Sequence, residues 1–416
     1  MRKIEIMAPV GSFEALGAAI EAGCNSIYFG VAQLNMRTRA AHNFTLEELK
    51  EVADRCKAAG IRSYITLNVL LYEHDMSMMH TIVDAAKAAG INAIIAQDIA
   101  AIQYARQIGM PVQASTQLSI SNFESVKFYA QFADTIVLAR EVDIPMMKRI
   151  CDGIEKEQVR GPAGELVRIE VFVHGALCIA QSGRCHMSLL QNNTSAQRGA
   201  CLQECRRKYR IIDDETGKEM VVDNEYVLSP KDLCTLPFLD ALIDTGVSVL
   251  KIEGRGRSPV YVATVVRVYR EAADAVLAGT FTPEKITSWM KELETVYNRG
   301  FTEGYYLGRK LPEWSGDPGN HATEERVYVG NVVHYFDKAG IAEIAVQANE
   351  ISKGDKYAIM GKATGLVQNV VTEMKIDDAF VEKSGKGVTI TMPVPRAVHR
   401  NDKLYLLRKP IARVIA

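Results

Sequence analysis

The sequence predicts a TIM-type (β/α)8 barrel over residues 1–280, a helical linker over 281–324 and a small all-β barrel over 325–416. Three observations lead to this fold class. Short, almost continuously apolar runs alternate with amphipathic helical patterns, which is typical of a parallel sheet buried on both faces. Eight such units fit the size of a closed barrel. From Glu325 the apolar pattern changes to period two, which indicates short antiparallel strands.

An open, doubly wound α/β sheet is the alternative for the first domain. Such a sheet usually carries a glycine-rich nucleotide-binding fingerprint after its first strand. The residues that follow the first apolar run, from Pro9 to Glu21, contain no such fingerprint. We therefore prefer the closed barrel, in which the active site lies on the loops behind the carboxyl ends of the strands.

The predicted strands are apolar runs bounded by glycine, proline or polar residues. The barrel strands are Ile4–Ala8, Ser26–Gly30, Ser63–Leu70, Ala93–Ala96, Val112–Ser115, Thr135–Ala139, Arg168–Val173 and Val247–Ile252, and those of the last domain are Val327–Val329, Ile341–Val346, Lys356–Ile359, Val388–Met392 and Leu404–Leu407. Cap and periodicity signals predict helices from Ser12 to Glu21 and from Thr45 to Gly60, a helix that ends at Gly90, and helices over Ile99–Ile108, Met146–Lys156, Pro259–Leu277 and Thr282–Tyr297. An irregular bridge is predicted at Pro312–His321.

The composition excludes several classes of protein. Of the 416 residues, 48% are hydrophobic and 24% are charged, as in ordinary globular proteins. No apolar run approaches the roughly 18 residues of a membrane span, and Glu5 and Pro9 interrupt the apolar stretch behind the basic start. We therefore expect a cytoplasmic protein without a membrane partner. The net charge of −1 leaves room for local nucleic-acid-binding patches, and nothing in it predicts an oligomeric state.

Four cysteines follow the seventh predicted strand with the spacing C-x6-C-x15-C-x3-C: Cys178, Cys185, Cys201 and Cys205. Four thiolates complete either a tetrahedral zinc site or a four-iron–four-sulfur cluster. Zinc sites usually use tight C-x2-4-C pairs, so the looser spacing favours the cluster. Two disulfides or unlinked buried thiols are the alternatives, although disulfides are rare in a reducing cytosol. The remaining cysteines, Cys24, Cys56 and Cys151 on helical patterns and Cys234 after a turn, are expected to pack, but Cys234 could replace one of the four.

The same segment resembles a known family. The pattern E-x-F-x2-G-A-L-C-x4-G-x-C-x-M-S, from Glu170 to Ser188, is similar to the signature of the collagenase-like peptidase family U-32. The resemblance implies oxygen-independent hydroxylation, since the better-understood members modify tRNA, rRNA or the ubiquinone ring. Cys201 and Cys205, followed by Arg206, resemble the branch that converts the wobble uridine of tRNA to 5-hydroxyuridine with prephenate as oxygen donor. The resemblance runs from the first strand into the C-terminal domain.

Polar residues at the carboxyl ends of the predicted strands should line one mouth of the barrel. They are Asn68, Gln97, Asp98, Ser115, Thr116, Gln117, Arg140, Glu141, His174, Lys251, Glu253, Arg255 and Arg257. Each alone could be a simple strand cap. A guanidinium is the natural clamp for a carboxylate, so we expect Arg255 or Arg257, with Arg140, to hold the dicarboxylate that the resemblance implies. His174 or Glu253 is expected to move protons.

The basic run after the cysteines, Arg206, Arg207, Lys208 and Arg210, is predicted to bind RNA, with a merely solvated face as the alternative. Two other functions stay open. A peptidase would need a nucleophile with a dedicated base, yet the chain has neither a G-x-S-x-G elbow nor an H-E-x-x-H helix. An RNA-binding protein with a purely structural metal is the third class.

Overall fold

The computed structural model describes residues 3–39, 43–219, 228–308, 313–315 and 319–410, so part of the predicted bridge at Pro312–His321 lies outside the described residues. The first sheet has the strands β1 (Glu5–Pro9), β2 (Ser26–Phe29), β3 (Arg62–Leu67), β4 (Ala93–Ala96), β5 (Val112–Ala114), β6 (Thr135–Val137), β7 (Arg168–Ala176), β8 (Asp232–Cys234), β9 (Val249–Ile252) and β10 (Phe301–Thr302).

Strands β1 to β7 pair in chain order, and β9 pairs with both β7 and β1. All of these pairings are parallel. The sheet therefore closes on itself, and the predicted TIM-type barrel is confirmed. Strands β8 and β10 extend the sheet at the carboxyl end of β7, where β8 runs antiparallel to it.

The helices surround this barrel. They are α1 (Phe13–Glu21), α2 (Leu49–Ala58), α3 (Met76–Ala89), α4 (Ile99–Gln107), α5 (Phe123–Ala130), α6 (Ile144–Glu157), α7 (Met187–Asn192), α8 (Leu239–Asp244), α9 (Pro259–Leu277) and α10 (Pro283–Thr295). Side-chain caps explain several starts, since Ser12, Ser258 and Thr282 each accept a hydrogen bond from an N–H of the first turn. No helix among the described residues is both long and apolar enough to cross a membrane.

The structure differs from the predicted elements at a few places. The helix predicted from Thr45 begins at Leu49, and residues 45–48 lead into it through a turn in which the Thr45 N–H donates to Glu48 Oε2 (3.0 Å). Cys24 lies in the loop after α1 rather than on a helix. The segment that directly follows β7 is not a barrel helix. The cysteine segment, residues 177–210, covers the carboxyl end of the barrel instead, with α7 as its one α-helix in the described range.

The last domain is all-β, as predicted, and its strands form one antiparallel sheet, in which no pairing among the described residues joins the two end strands. Its strands are β11 (Glu325–Phe336), β12 (Ile341–Val346), β13 (Lys356–Gly361), β14 (Gly365–Val370), β15 (Lys375–Ile376), β16 (Ala379–Phe380), β17 (Thr389–Pro393) and β18 (Lys403–Arg408), in the spatial order β14-β13-β18-β11-β12-β17-β15-β16. The sheet has an apolar core of its own, which includes Ile344, Tyr357 and Leu404. It packs against α1, where a Cβ on Gly17 would lie only 2.7 Å from Gly365 Cα.

Candidate active site

A cavity of about 140 Å³ opens at the carboxyl end of the barrel, between the strand ends and the cysteine segment. The strands contribute Tyr28, Thr66, Phe172 and Lys251 to its wall. Of the strand-end residues predicted from the sequence, seven more line it: Asn68, Ser115, Thr116, Gln117, Arg140, Glu253 and Arg255. The cavity is therefore where the barrel fold predicts an active site.

All four predicted ligand cysteines, Cys178, Cys185, Cys201 and Cys205, line this cavity as half-buried free thiols. The segment that carries them lies close to the loop behind β2. Gly199 has a φ of +80°, and a Cβ at this position would lie 2.1 Å from Asn35 O. Only glycine permits this approach. Within the described residues no group of three or more His, Cys, Asp or Glu side chains is arranged to hold one metal ion.

Cys234 lies apart from these four thiols. It is the last residue of β8 and is buried, and its Sγ is 3.7 Å from Tyr269 Oη and 3.8 Å from Met290 Sδ. Burial raises the pKa of the Cys234 thiol to about 11. The residue packs in the interior and does not line the cavity.

Arg255 enters the cavity from the loop behind β9 and is only 5% exposed. Its Nη1 donates to Thr66 Oγ1 (2.8 Å) and its Nη2 to Asn35 Oδ1 (2.9 Å). Both partners are neutral. Burial lowers the pKa of Arg255 to about 10, so the guanidinium is still charged at neutral pH. A buried cation that has no acidic partner among the described residues is suited to an anionic ligand.

Two other guanidinium groups in the cavity wall also lack a carboxylate partner in the described part of the chain. Arg140 Nη1 donates to Ala176 O (2.7 Å), its Cζ lies 3.9 Å from the centroid of the Phe172 ring, and its Nε is buried without a partner. Arg206 donates to Pro230 O (2.6 Å) and Leu177 O (2.7 Å). The cavity therefore carries an excess of positive charge.

Glu253, in contrast, is held in an ion pair. Arg37 Nη2 lies 2.9 Å from Glu253 Oε1. Burial alone would raise the pKa of Glu253, but Arg37, with help from Arg140 and Arg257, lowers it to about 2. At neutral pH this carboxylate is ionised and is a very weak base.

A second ion pair lies at the cavity floor. Lys251 Nζ is 2.6 Å from Glu170 Oε1, and it also lies 4.5 Å from the centroid of the Tyr28 ring. Glu170 is fully buried, and its Oε2 has no hydrogen-bond partner among the described residues. Burial lowers the pKa of Lys251 and raises that of Glu170. Burial thus disfavours the charged form of both Lys251 and Glu170, and the two groups share a hydrogen bond along which a proton can move.

Two residues that were predicted to act in catalysis, His174 and Arg257, do not line the cavity. His174 is 1% exposed, and its ring lies among those of Tyr261, Tyr269 and Phe301. Burial, with a smaller effect of Arg257, lowers the pKa of His174 to about 3, so the ring is neutral at pH 7. Arg257 turns away, with its Cζ 3.5 Å from the centroid of the Tyr297 ring.

Other strand-end residues have ordinary structural roles. Gln97 Nε2 donates to Asn68 O (3.0 Å), and Asp98 caps α4 by accepting from Ala100 N. Glu141 is exposed at the surface. None of the three lines the cavity.

The predicted RNA-binding run is partly engaged within the chain. Arg206 turns inward, as described above. Arg207 Nε lies 2.8 Å from Glu204 Oε2, and Arg210 forms two hydrogen bonds with Glu219. Lys208 is exposed. The run therefore presents less free positive charge than its sequence indicates.

Three residues at the site were not predicted from the sequence: Asn35, Arg37 and Thr66. The first two belong to the loop behind β2, which ends at the same barrel mouth, and Thr66 lies in β3 and points inward. Asn35 and Arg37 could have been predicted, because they lie in the loop after the predicted strand Ser26–Gly30, and such loops form the mouth of the barrel. For Thr66, the signal was strand alternation with Asn68, which also lines the cavity.

The fold and the cavity together define a TIM-barrel protein with a four-thiol site at its mouth. The chain belongs to peptidase family U32, whose family model matches residues 11–316. A collagenase of Porphyromonas gingivalis is 48% identical over 405 residues, which covers 97% of this chain and 98% of the relative. An uncharacterized protease of Methanocaldococcus jannaschii is 35% identical over 416 residues (99% and 100%). The tRNA hydroxylation protein P1 of Bacillus subtilis is 32% identical over 372 residues (86% and 84%).

Proposed function

We propose that the protein hydroxylates the wobble uridine of tRNA to 5-hydroxyuridine without molecular oxygen, with prephenate as the oxygen donor and an iron–sulfur cluster as cofactor. The observation that carries this proposal is the convergence of four thiols on one cavity with Arg255, a buried cation without an acidic partner in the described chain. A soft-metal site and an anion site thus share one space. The similarity to a tRNA hydroxylation protein supports the choice of substrate.

The four cysteines fit a four-iron–four-sulfur cluster. Thiolates are its usual ligands, and all four line the same cavity. The spacing C-x6-C-x15-C-x3-C is looser than the C-x2-4-C pairs that zinc sites usually use, which favours a cluster over zinc. When bound, the cluster would supply one-electron chemistry beside the substrates.

The positive charges of the cavity fit a dicarboxylate such as prephenate. Arg255 is placed to donate to one carboxylate, and Arg140 and Arg206 are available for the other, because none of the three has a carboxylate partner in the described residues. Because Arg255 is buried away from water, the low local dielectric strengthens its hydrogen bonds to a carboxylate.

Lys251 is the residue best placed to move a proton in this cavity. Lys251 lines the cavity, and its Nζ donates a hydrogen bond to Glu170 Oε1 at 2.6 Å. Glu253 is too weak a base with a pKa of about 2, and His174 lies outside the cavity. We therefore assign proton transfer to Lys251 in place of the two residues expected from the sequence.

A peptidase is the second candidate, because two of the relatives reported above carry protease names. A serine or cysteine peptidase needs a base beside its nucleophile. The described cavity wall contains Ser115, Ser182 and the four thiols, but no histidine. The cavity therefore supports hydroxylation better than peptide hydrolysis.

The test is mass spectrometry of nucleosides from tRNA. We expect a deletion strain of the host to lose 5-hydroxyuridine, wild-type protein to restore it, and the Arg255→Met variant to fail. Arg267→Gln is a matched control, since Arg267 pairs with Glu271 and Glu292 on the surface. Unchanged 5-hydroxyuridine in the deletion strain, together with gelatin digestion by purified protein, would overturn the proposal in favour of the peptidase.

A further inference from the structure

A second depression of about 400 Å³ lies beside the cavity, and we call it the Tyr72 groove. Its wall consists of Thr38, Arg39, Tyr72, Leu189, Asn193, Thr194, Ser195, Arg198, Gly199 and Ala200. The described wall contains Arg39, then Arg198, which is paired with Asp75, and several hydroxyl groups, and no acidic residue is part of this wall. Such a lining is complementary to a phosphate backbone.

The Tyr72 groove and the cavity share the same two walls. In the loop behind β2, Met36 and Arg37 face the cavity, whereas Thr38 and Arg39 face the groove. In the cysteine segment, Ala196 and Cys201 line the cavity, whereas residues 198–200 line the groove. A chain that places one unit in the cavity would therefore place the neighbouring unit in the groove.

Tyr72 offers a held aromatic surface within this groove. Its side chain belongs to a residue that is 49% exposed, and Arg198 Cζ lies 4.3 Å from the centroid of its ring. Arg198 is itself fixed, because it donates to Leu70 O (2.9 Å) and is paired with Asp75. Preorganised aromatic rings stack on bases with little loss of conformational entropy.

We propose that the Tyr72 groove binds single-stranded RNA, with the nucleotide next to the reacting base stacked on Tyr72 and its phosphate paired with Arg39. This inference rests on the proposed function and deepens it, since it selects an unpaired loop over a duplex. Unpaired bases are the ones that can be splayed out into a cavity and stacked on aromatic side chains. Arg39 is exposed and has no acidic partner in the described residues.

The test is fluorescence anisotropy of the full-length protein with a labelled RNA hairpin whose loop contains unpaired uridines, and with a duplex of the same stem. We expect the hairpin to bind more tightly than the duplex. Tyr72→Ala should weaken hairpin binding about 10- to 100-fold, since one stacked base is lost, while Tyr72→Phe should keep it. Arg39→Ala should lower the salt slope by about 0.7.

Phe128→Ala is the matched control, because Phe128 is an exposed aromatic residue on the outer helix α5. The Phe128→Ala variant should bind the hairpin with the same affinity as the wild type. If Tyr72→Ala binds the hairpin as tightly as the wild type, the groove is not the subsite, although the proposed function stands. If the wild type binds neither RNA, both the groove and the proposed function fail.

Discussion

Replacing Arg255 by methionine tests the anion site of the cavity. Of the N–H donors of this guanidinium, two are used by Thr66 and Asn35, and the others have no hydrogen-bond partner among the described residues. A hydrogen bond to a charged partner contributes about 1.5–3 kcal/mol, and every 1.4 kcal/mol is tenfold in affinity. We therefore expect the Kd for prephenate to rise about 10- to 150-fold in Arg255→Met.

The assay is calorimetric titration of prephenate into anaerobically purified protein. Arg255→Lys keeps the charge but loses the planar fork of N–H donors, so we expect its Kd for prephenate to lie between those of the wild type and of Arg255→Met. Circular dichroism and thermal unfolding must show a folded variant, because Thr66 and Asn35 lose their partner. Arg267→Gln, on the outer face of α9, should bind as the wild type does. A folded Arg255→Met variant with the wild-type Kd would refute the assignment of the anion site.

Three further predictions concern charged groups at or near the site. Glu170→Gln should cost about 3–5 kcal/mol of the free energy of unfolding in urea, because it leaves Lys251 buried without its counter-charge; the double variant Glu170→Leu with Lys251→Met should cost less, and an equal cost would contradict the pairing. His174 has a folded pKa of about 3 and an unfolded pKa of about 6.5, so the unfolded state binds more protons below pH 6.5. Its contribution to stability is therefore complete above that pH and is lost as the pH falls toward 3, by up to about 1.4 kcal/mol per unit; His174→Phe should flatten the unfolding profile in this window, and an unchanged slope would contradict the burial argument. Arg257→Gln should leave prephenate affinity within about twofold while lowering stability by about 1 kcal/mol, the value of a cation–π contact; a large loss of affinity would show that Arg257, not Arg255, holds the acid.

The sequence predicted most of the fold because local signals and burial agree along the barrel. Ala93–Ala96, Ile341–Val346 and Pro259–Leu277 were predicted to the residue, and the last of these has both a capping serine and a proline at its start. Strand β8 could not be predicted. It is three residues long, and only its pairings with β7 and β10, which are distant in sequence, make it a strand.

Side-chain direction limited the prediction of the site. Phe172 lines the cavity, and strict alternation would direct His174 inward as well. A register shift in the β7–β9 pairing between these two residues places His174 among tyrosines instead. Likewise, Gly254, with a φ of +153°, interrupts the strand geometry before Arg255 and Arg257, so their spacing alone cannot show which one faces the cavity.

The central claim is that Cys178, Cys185, Cys201 and Cys205 hold one iron–sulfur cluster at the mouth of the barrel. Iron and acid-labile sulfide analysis of anaerobically purified protein tests it most directly. We predict about four irons per chain, lost in Cys205→Ala and retained in Cys234→Ala, whose thiol faces Tyr269. Active protein without iron, or iron that survives the Cys205→Ala change unaltered, would contradict the account.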